Sequence, residues 1–294
     1  ELLKNYLMHW VSRNEPLQAE REALAGLINK SWKDAYKNLG ECDGDEDQCL
    51  RVAWTLYCNH SPGKWAGYDG FKGPDFIPLR DFSKRAKATT KVFLKSFTEA
   101  LSEVSSHYAA IVNPTPKNML SPEELRWLTK IHNTGNIANF LPLLVAARKR
   151  TGAGEIESQE YLALLKALEC FAYRVFLYRG RRSNAGKSNF HRWGWEIKEG
   201  TRKIGDVTTW IHELTRYYHP ESEFVDANAP IEDWYSGRRL LRYTLYEFEL
   251  KLLKDEGKGA KPKLAWEDLS DSTIEHILPQ NPKANSHWLS AWAD

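Results

Sequence analysis

Apolar residues return at three- and four-residue steps along most of this chain. Leu2, Leu3, Tyr6, Leu7 and Trp10 form one such stripe, and Leu24, Leu27, Ile28, Trp32 and Tyr36 form the next. This is the period of an amphipathic helix with one face in a core. The same pattern predicts helices at roughly 46–59, 84–112, 122–132, 137–149, 156–178, 202–218 and 237–254. Ser121-Pro122-Glu123-Glu124 is a helix start, with Pro at the first helical position and acid behind it; Gly152 and Gly180 mark stops. Between helices, SPGKWAGYDGFKGPDF (61–76) and NPTPKN (113–118) carry too much Gly and Pro to continue one. DEGKGAKPK (255–263) reads as a short, flexible, basic linker. Beyond it the period changes: Ile274, His276 and Leu278 alternate with Thr273, Glu275 and Ile277, as in a strand. The fold class predicted is mainly α, a multi-helix bundle with a short C-terminal β element. No internal repeat interrupts it.

Composition changes this picture little. A chain of 294 residues with 42% hydrophobic content, including 12 Trp, 13 Tyr and 11 Phe, can bury a sizeable core. The formal charge of +2, from 41 basic and 39 acidic residues, argues neither for nor against nucleic acid, so only local clustering can speak to it. No apolar run is long enough to span a bilayer and no leader is visible, which predicts a soluble, cytoplasmic protein without membrane contact. Cys42, Cys49, Cys58 and Cys170 lack the paired short spacing of a zinc site and are too sparse for a disulfide scaffold, so free thiols are expected. The chain opens inside one amphipathic run and closes inside another apolar pattern. It reads as a piece of a longer polypeptide.

Two motifs mimic ligand sites and fail on spacing. In GRRSNAGKS (180–188), five residues separate Gly180 from Gly186 where a phosphate-binding P-loop needs four, and a helical pattern precedes it instead of a strand. CDGDEDQ (42–48) starts like a calcium loop through Asp43, Asp45 and Asp47, but Gln48 replaces the turn glycine and Trp54 the bidentate Glu. Its acids suit the positive end of the following helix. His132, His212 and His219 sit in helical patterns without ligand partners at useful spacing. The basic run is more suggestive: Arg179, Arg181, Arg182, Lys187, His191 and Arg192 crowd among small polar residues, a composition suited to phosphate oxygens. An ordinary solvated loop between helices would look the same.

The stretch IEHILPQNP (274–282) sets a carboxylate beside an imidazole. Hydrolysis of a phosphodiester needs a base near the attacking water and a cation for the charge that develops, so the pairing is chemically apt. The string resembles the first strand of the HNH, or ββα-metal, nuclease domain of GmrSD-like modification-dependent restriction endonucleases, often I-E-H-I-x-P-Q. Ile274, Glu275, His276, Ile277, Pro279 and Gln280 match it. RRLLRYTLYEFELKLL (238–253) is similar to the helix before that motif, and ELLKNYLM (1–8) to the junction after the family's ParB-like N-terminal domain. LPLLVAARKR (141–150) and FAYRVFLYRG (171–180) are similar to its helical middle.

The resemblance implies a helical linker domain over 1–230 and the first part of an HNH domain over 231–294. It implies His276 as general base, Glu275 as a ligand to Mg²⁺ or another divalent cation, and Pro279 as the strand's exit. DNA would be the substrate, modified or foreign, cut in phage defence. The family's Asp-Gly-Gln-Gln-Arg motif is absent here, so nucleotide use would belong to the ParB-like domain, the further partner. The Gly-Asn-Leu stretch, closing-helix Asn and basic residue of the family would follow Asp294, so this piece alone should be inactive. Two other readings stay open: a non-catalytic helical module for DNA binding or allosteric coupling, and a scaffold whose terminal motif packs. Homo-oligomerisation and the modification recognised are not legible.

Overall fold

In the computed structural model, residues 2–40, 42, 45–58, 87–225, 238–257 and 265–269 are described. The chain divides into two compact units, Glu1–Phe224 and Val225–Asp294. Among the described residues every regular element is helical, as the 3.6-residue periodicity predicts. The strand expected at 274–278 lies outside the described residues.

The first unit begins with α1 (Leu2–Asn14), α2 (Gln18–Leu39) and α3 (Glu46–Tyr57). Glu46 and Asp47 occupy the first turn of α3, where the helix dipole favours them, so these two acids serve the helix start. Next come α4 (Lys87–Val112) and α5 (Pro122–Thr134). Ser121 caps α5: its hydroxyl accepts from the Glu124 amide at 3.1 Å, Pro122 sits in the first turn, and Gly135 ends the helix at φ +81°. The helix expected over 137–149 is two pieces, a 3₁₀ turn Ile137–Asn139 and then α6 (Leu141–Gly152). Pro142 explains the break, because it has no N–H for a preceding turn to use and belongs at a helix start.

The long pattern over 156–178 also divides. It is α7 (Ser158–Phe171) followed by a π-helical segment, Ala172–Tyr178. There the amide of Arg179 reaches back to the Arg174 carbonyl at 3.1 Å. The wider turn carries Arg174, Val175 and Phe176 inward together. After it come α8 (Lys187–Glu199), α9 (Ile204–Tyr218) and the short α10 (Glu221–Val225).

Helix α8 corrects the expectation of a loop through 179–192. Phe190, Trp193, Gly194 and Ile197 recur at three- and four-residue steps and are all buried. The helix starts at Gly186, whose φ of +72° suits glycine, and a Cβ there would lie 2.8 Å from Phe190 Cε2. Gly194 has a different reason. A Cβ on it would meet the backbone of Pro142 and Leu143 at 2.8 and 2.9 Å, so glycine is what lets α8 lie against α6.

An aromatic cluster joins these helices. Phe190 meets Phe140 and Phe171 edge to face at centroid distances of 4.8 and 5.0 Å, and Phe171 meets Phe176 at 5.4 Å. Helix α2 packs on α4, α6 on α8, and α9 on α7. Among the described residues the four cysteines form no disulfide; Cys42 and Cys49 are buried and Cys58 and Cys170 half-buried. Burial pushes the Cys49 thiol up to about 12, which leaves it unreactive at neutral pH.

In the second unit, α11 (Arg238–Asp255) and a 3₁₀ turn, Trp266–Asp268, are described. Trp266 holds them together: the Arg242 guanidinium lies 4.0 Å from its ring centre and donates to its carbonyl, and Tyr243 and Tyr246 meet the ring edge to face. No helix among the described residues is long and apolar enough to cross a membrane.

Candidate nucleic-acid interface

The basic run of 179–192 falls on three pieces of backbone: the exit of the π segment, a turn, and the first half of α8. Arg174, inside the π segment, ties the exit down. Its guanidinium pairs with Glu221 at 2.9 Å and donates to the His219 carbonyl at 2.8 Å. The His219 imidazole stacks on Tyr178, with ring centres 5.1 Å apart. Burial, and then the Arg174 charge, lower the pKa of His219, which keeps the ring neutral. The turn is pinned by Asn139, whose amide donates to the Ser183 carbonyl, and by the Gly186 amide, which donates to Tyr218 Oη at 3.2 Å. These two bonds hold the backbone of the turn.

The six basic residues then separate by environment. Arg181, Arg182 and Arg192 are exposed. Arg182 and Arg192 make no ion pair among the described residues, while Arg181 reaches the Tyr218 carbonyl at 3.5 Å. Arg179 is exposed but bound to Glu223 at 2.9 Å, so a phosphate would have to displace that carboxylate. Lys187 is half-buried, and burial followed by the Arg51 charge lowers its pKa. His191 is only 3% exposed. It therefore cannot serve as the phosphate contact assigned to it from sequence: on α8 it follows Phe190 into the core.

What the sequence reading missed lies beside this run, on α9. Arg192 and Trp193 of α8 line a groove of about 400 Å³ together with Trp210, Glu213, Leu214 and Tyr217 of α9. Trp193 and Trp210 stand 6.1 Å apart, and the Arg202 guanidinium lies 5.3 Å from the Trp210 ring centre. Tyr217 is 78% exposed, unusual for so large a ring. A legible signal existed: Trp210, Glu213, Leu214 and Tyr217 are spaced three, four and seven apart and share one helix face.

His276 and Glu275 lie outside the described residues. Among the described residues no three His, Cys, Asp or Glu side chains gather where they could hold a metal ion. His132 instead hydrogen-bonds the Ile111 carbonyl at 2.7 Å, and burial lowers its pKa.

Comparison with known proteins bears on the second unit and the segment leading into it. Residues 218–294 match the family described as GmrSD restriction endonucleases, C-terminal domain. The match includes IEHILPQNP, so the resemblance to a GmrSD-like family drawn from that string is supported over these residues. No curated protein and no solved structure matches the chain.

Proposed function

We propose that this chain is part of a DNA endonuclease of phage defence, in which residues 231–294 contribute to an HNH-type nuclease domain and residues 1–230 form a helical DNA-binding domain. The observation that carries the reading is the match of residues 218–294 to the C-terminal domain of GmrSD restriction endonucleases. Within it, His276 acts as general base, taking a proton from the water that attacks a phosphodiester of modified or foreign DNA. Glu275 offers a carboxylate oxygen, the donor that a hard divalent cation such as Mg²⁺ prefers. When bound, that cation neutralises charge developing on the phosphate. A nucleotide-dependent step belongs to a ParB-like domain, outside these residues.

The helical body supplies affinity. Arg181, Arg182 and Arg192, exposed on a pinned turn and helix, engage phosphates, and Lys187 lies beside them. Such contacts position DNA without reading sequence. The test is cleavage of modified plasmid DNA, with Mg²⁺ or Mn²⁺, by the polypeptide carrying these residues. His276→Ala should reduce nicking by about 10²–10⁴ and leave retention of DNA in a mobility shift unchanged. Nicking at the wild-type rate by that variant would sink the assignment and favour the second reading, a non-catalytic helical module that binds DNA or couples domains. That second reading rests on the exposed arginines of 179–192, which would function without chemistry.

A further inference from the structure

The groove between α8 and α9 combines features that phosphate contacts alone do not require. Trp193, Trp210 and Tyr217 give it aromatic walls, Leu214 a further apolar surface, Arg192 a positive charge and Glu213 an acceptor. Arg192 makes no ion pair among the described residues, and neither does the exposed Glu213. The aromatic rings differ in role. Trp193 is 3% exposed and its buried indole N–H has no acceptor among the described residues, so it forms the wall's foundation. Trp210 is half-buried against it, and Tyr217 stands out into solvent.

We propose that this groove binds a single unstacked nucleotide of DNA, its base against Trp210 and Tyr217, its phosphate on Arg192, and its exocyclic amino group donating to Glu213. This rests on the reading of 179–192 as a phosphate-binding segment. Three physical arguments select this occupant. Flat aromatic faces beside cations are the composition that holds unpaired bases, because every base has a π face and is joined to a phosphate. Cations stand at and near the rim: Arg192 lines the groove, Arg202, paired with Glu196 at 3.4 Å, sits at the Trp210 ring, and the exposed Arg181 and Arg182 lie on the turn that leads into α8. The turn and the groove are also tied by adjacent residues, since Tyr218 accepts from the Gly186 amide and Tyr217 meets the Tyr218 ring at 5.2 Å. A strand whose phosphates follow 181–192 thus delivers a nucleotide to the groove.

Glu213 gives the site a preference. A carboxylate is acceptor-only, so it pairs with the amino group of cytosine, adenine or guanine and finds no donor of that kind on thymine. The groove therefore favours an unpaired cytosine over an unpaired thymine.

The experiment measures fluorescence anisotropy of this chain with three labelled duplexes of one sequence: fully paired, with one unpaired cytosine, and with one unpaired thymine. The unpaired cytosine should tighten binding at least fivefold over the paired duplex, and thymine should gain less. Tyr217→Ala, at an exposed site that leaves the core intact, should weaken the cytosine duplex about five- to 150-fold, the range measured for one base–aromatic stack. It should leave the paired duplex unchanged. Glu213→Leu should erase the cytosine preference and keep the stacking gain.

An unpaired base that gives no gain, or a gain that survives Tyr217→Ala, overturns the groove proposal. The paired duplex tells which reading has failed. If it binds with a salt dependence that Arg181→Ala/Arg182→Ala reduces, the phosphate-binding reading stands and the groove alone is refuted. If none of the three duplexes binds, both fall together.

Discussion

The Arg148 guanidinium meets Glu124 with Nε 2.8 Å from Oε1, and neither side chain is more than 6% exposed. The pair joins α6 to α5 inside the helical body, and it has further partners. Tyr161 of α7 donates its hydroxyl to the same Glu124 oxygen at 3.0 Å, and the Leu120 amide donates to the other. Arg148 also donates to the Asn118 carbonyl and, at 2.9 Å, to His107 Nδ1 of α4. One buried ion pair thus holds four helices and the 113–118 break in register. A buried pair of this kind is tolerable only because its remaining donors and acceptors are met.

Removing one partner should therefore be costly. Arg148→Met or Glu124→Leu leaves a charge in the core without its counterion and should destabilise the fold by about 3–5 kcal/mol. The double variant, apolar on both sides, should recover most of that loss. Urea unfolding of the two single variants and the double gives the comparison, and strictly additive losses would contradict the coupling.

The same network predicts a pH response. Arginine only donates, so His107 Nδ1 must accept, and burial followed by the Arg148 charge depresses the His107 pKa to about 4. The unfolded chain then binds a proton that the folded chain refuses. Stability from this group is complete above about pH 6.5 and declines as pH falls from there towards 4. His107→Gln, which keeps an acceptor and does not titrate, should flatten the melting temperature between pH 6.5 and 4.5. A slope identical to wild type would remove His107 as its source.

Close approach of α8 to α6 gives a third prediction. Gly194→Ala puts a methyl group within 3 Å of the Pro142 and Leu143 backbone, where no flexible side chain can move aside. The helices must separate, at a cost of about 1–3 kcal/mol. Thermal unfolding reads this directly. Gly205→Ala, on α9 with open space at its Cβ, is the control and should be neutral or slightly stabilising.

The environments of 179–192 rank its residues. Replacing Arg181 and Arg182 by Ala should weaken binding to any DNA sequence and lower the log–log salt slope by about one to two. Arg179→Ala should do less, because Glu223 already holds that side chain. His191→Ala should lower thermal stability with no direct effect on the salt slope, since its ring is in the core. A mobility-shift titration over several salt concentrations separates the three.

On the proposed nuclease reading, His276→Ala should reduce cleavage by about 10²–10⁴, the usual contribution of a general base, with DNA binding intact. Glu275→Ala should raise the metal concentration needed for half-maximal rate. Equal metal dependence in the two variants would contradict the division of roles.

Much of this was legible along the chain because helix formation is local. The stripes of α1, α2, α4 and α9 appear in the spacing of their apolar residues, and the α5 cap in Ser121-Pro122. The string IEHILPQNP carries its own resemblance. Spacing alone could not say that Pro142 splits one helical pattern, or that 172–178 would open into a π segment. It did not separate the basic loop from the helix that begins at Lys187, although Phe190, Trp193 and Ile197 held the period. Which arginine stands free and which is bound depends on residues distant in sequence, as with Arg179 and Glu223. Pairing of Arg148 with Glu124, the neutrality of His107, and the meeting of Arg192 with Tyr217 in one groove are likewise decided by packing. Desolvation and hydrogen-bond geometry act only once the helices have docked, so the tertiary structure alone assigns these residues their charge states and partners.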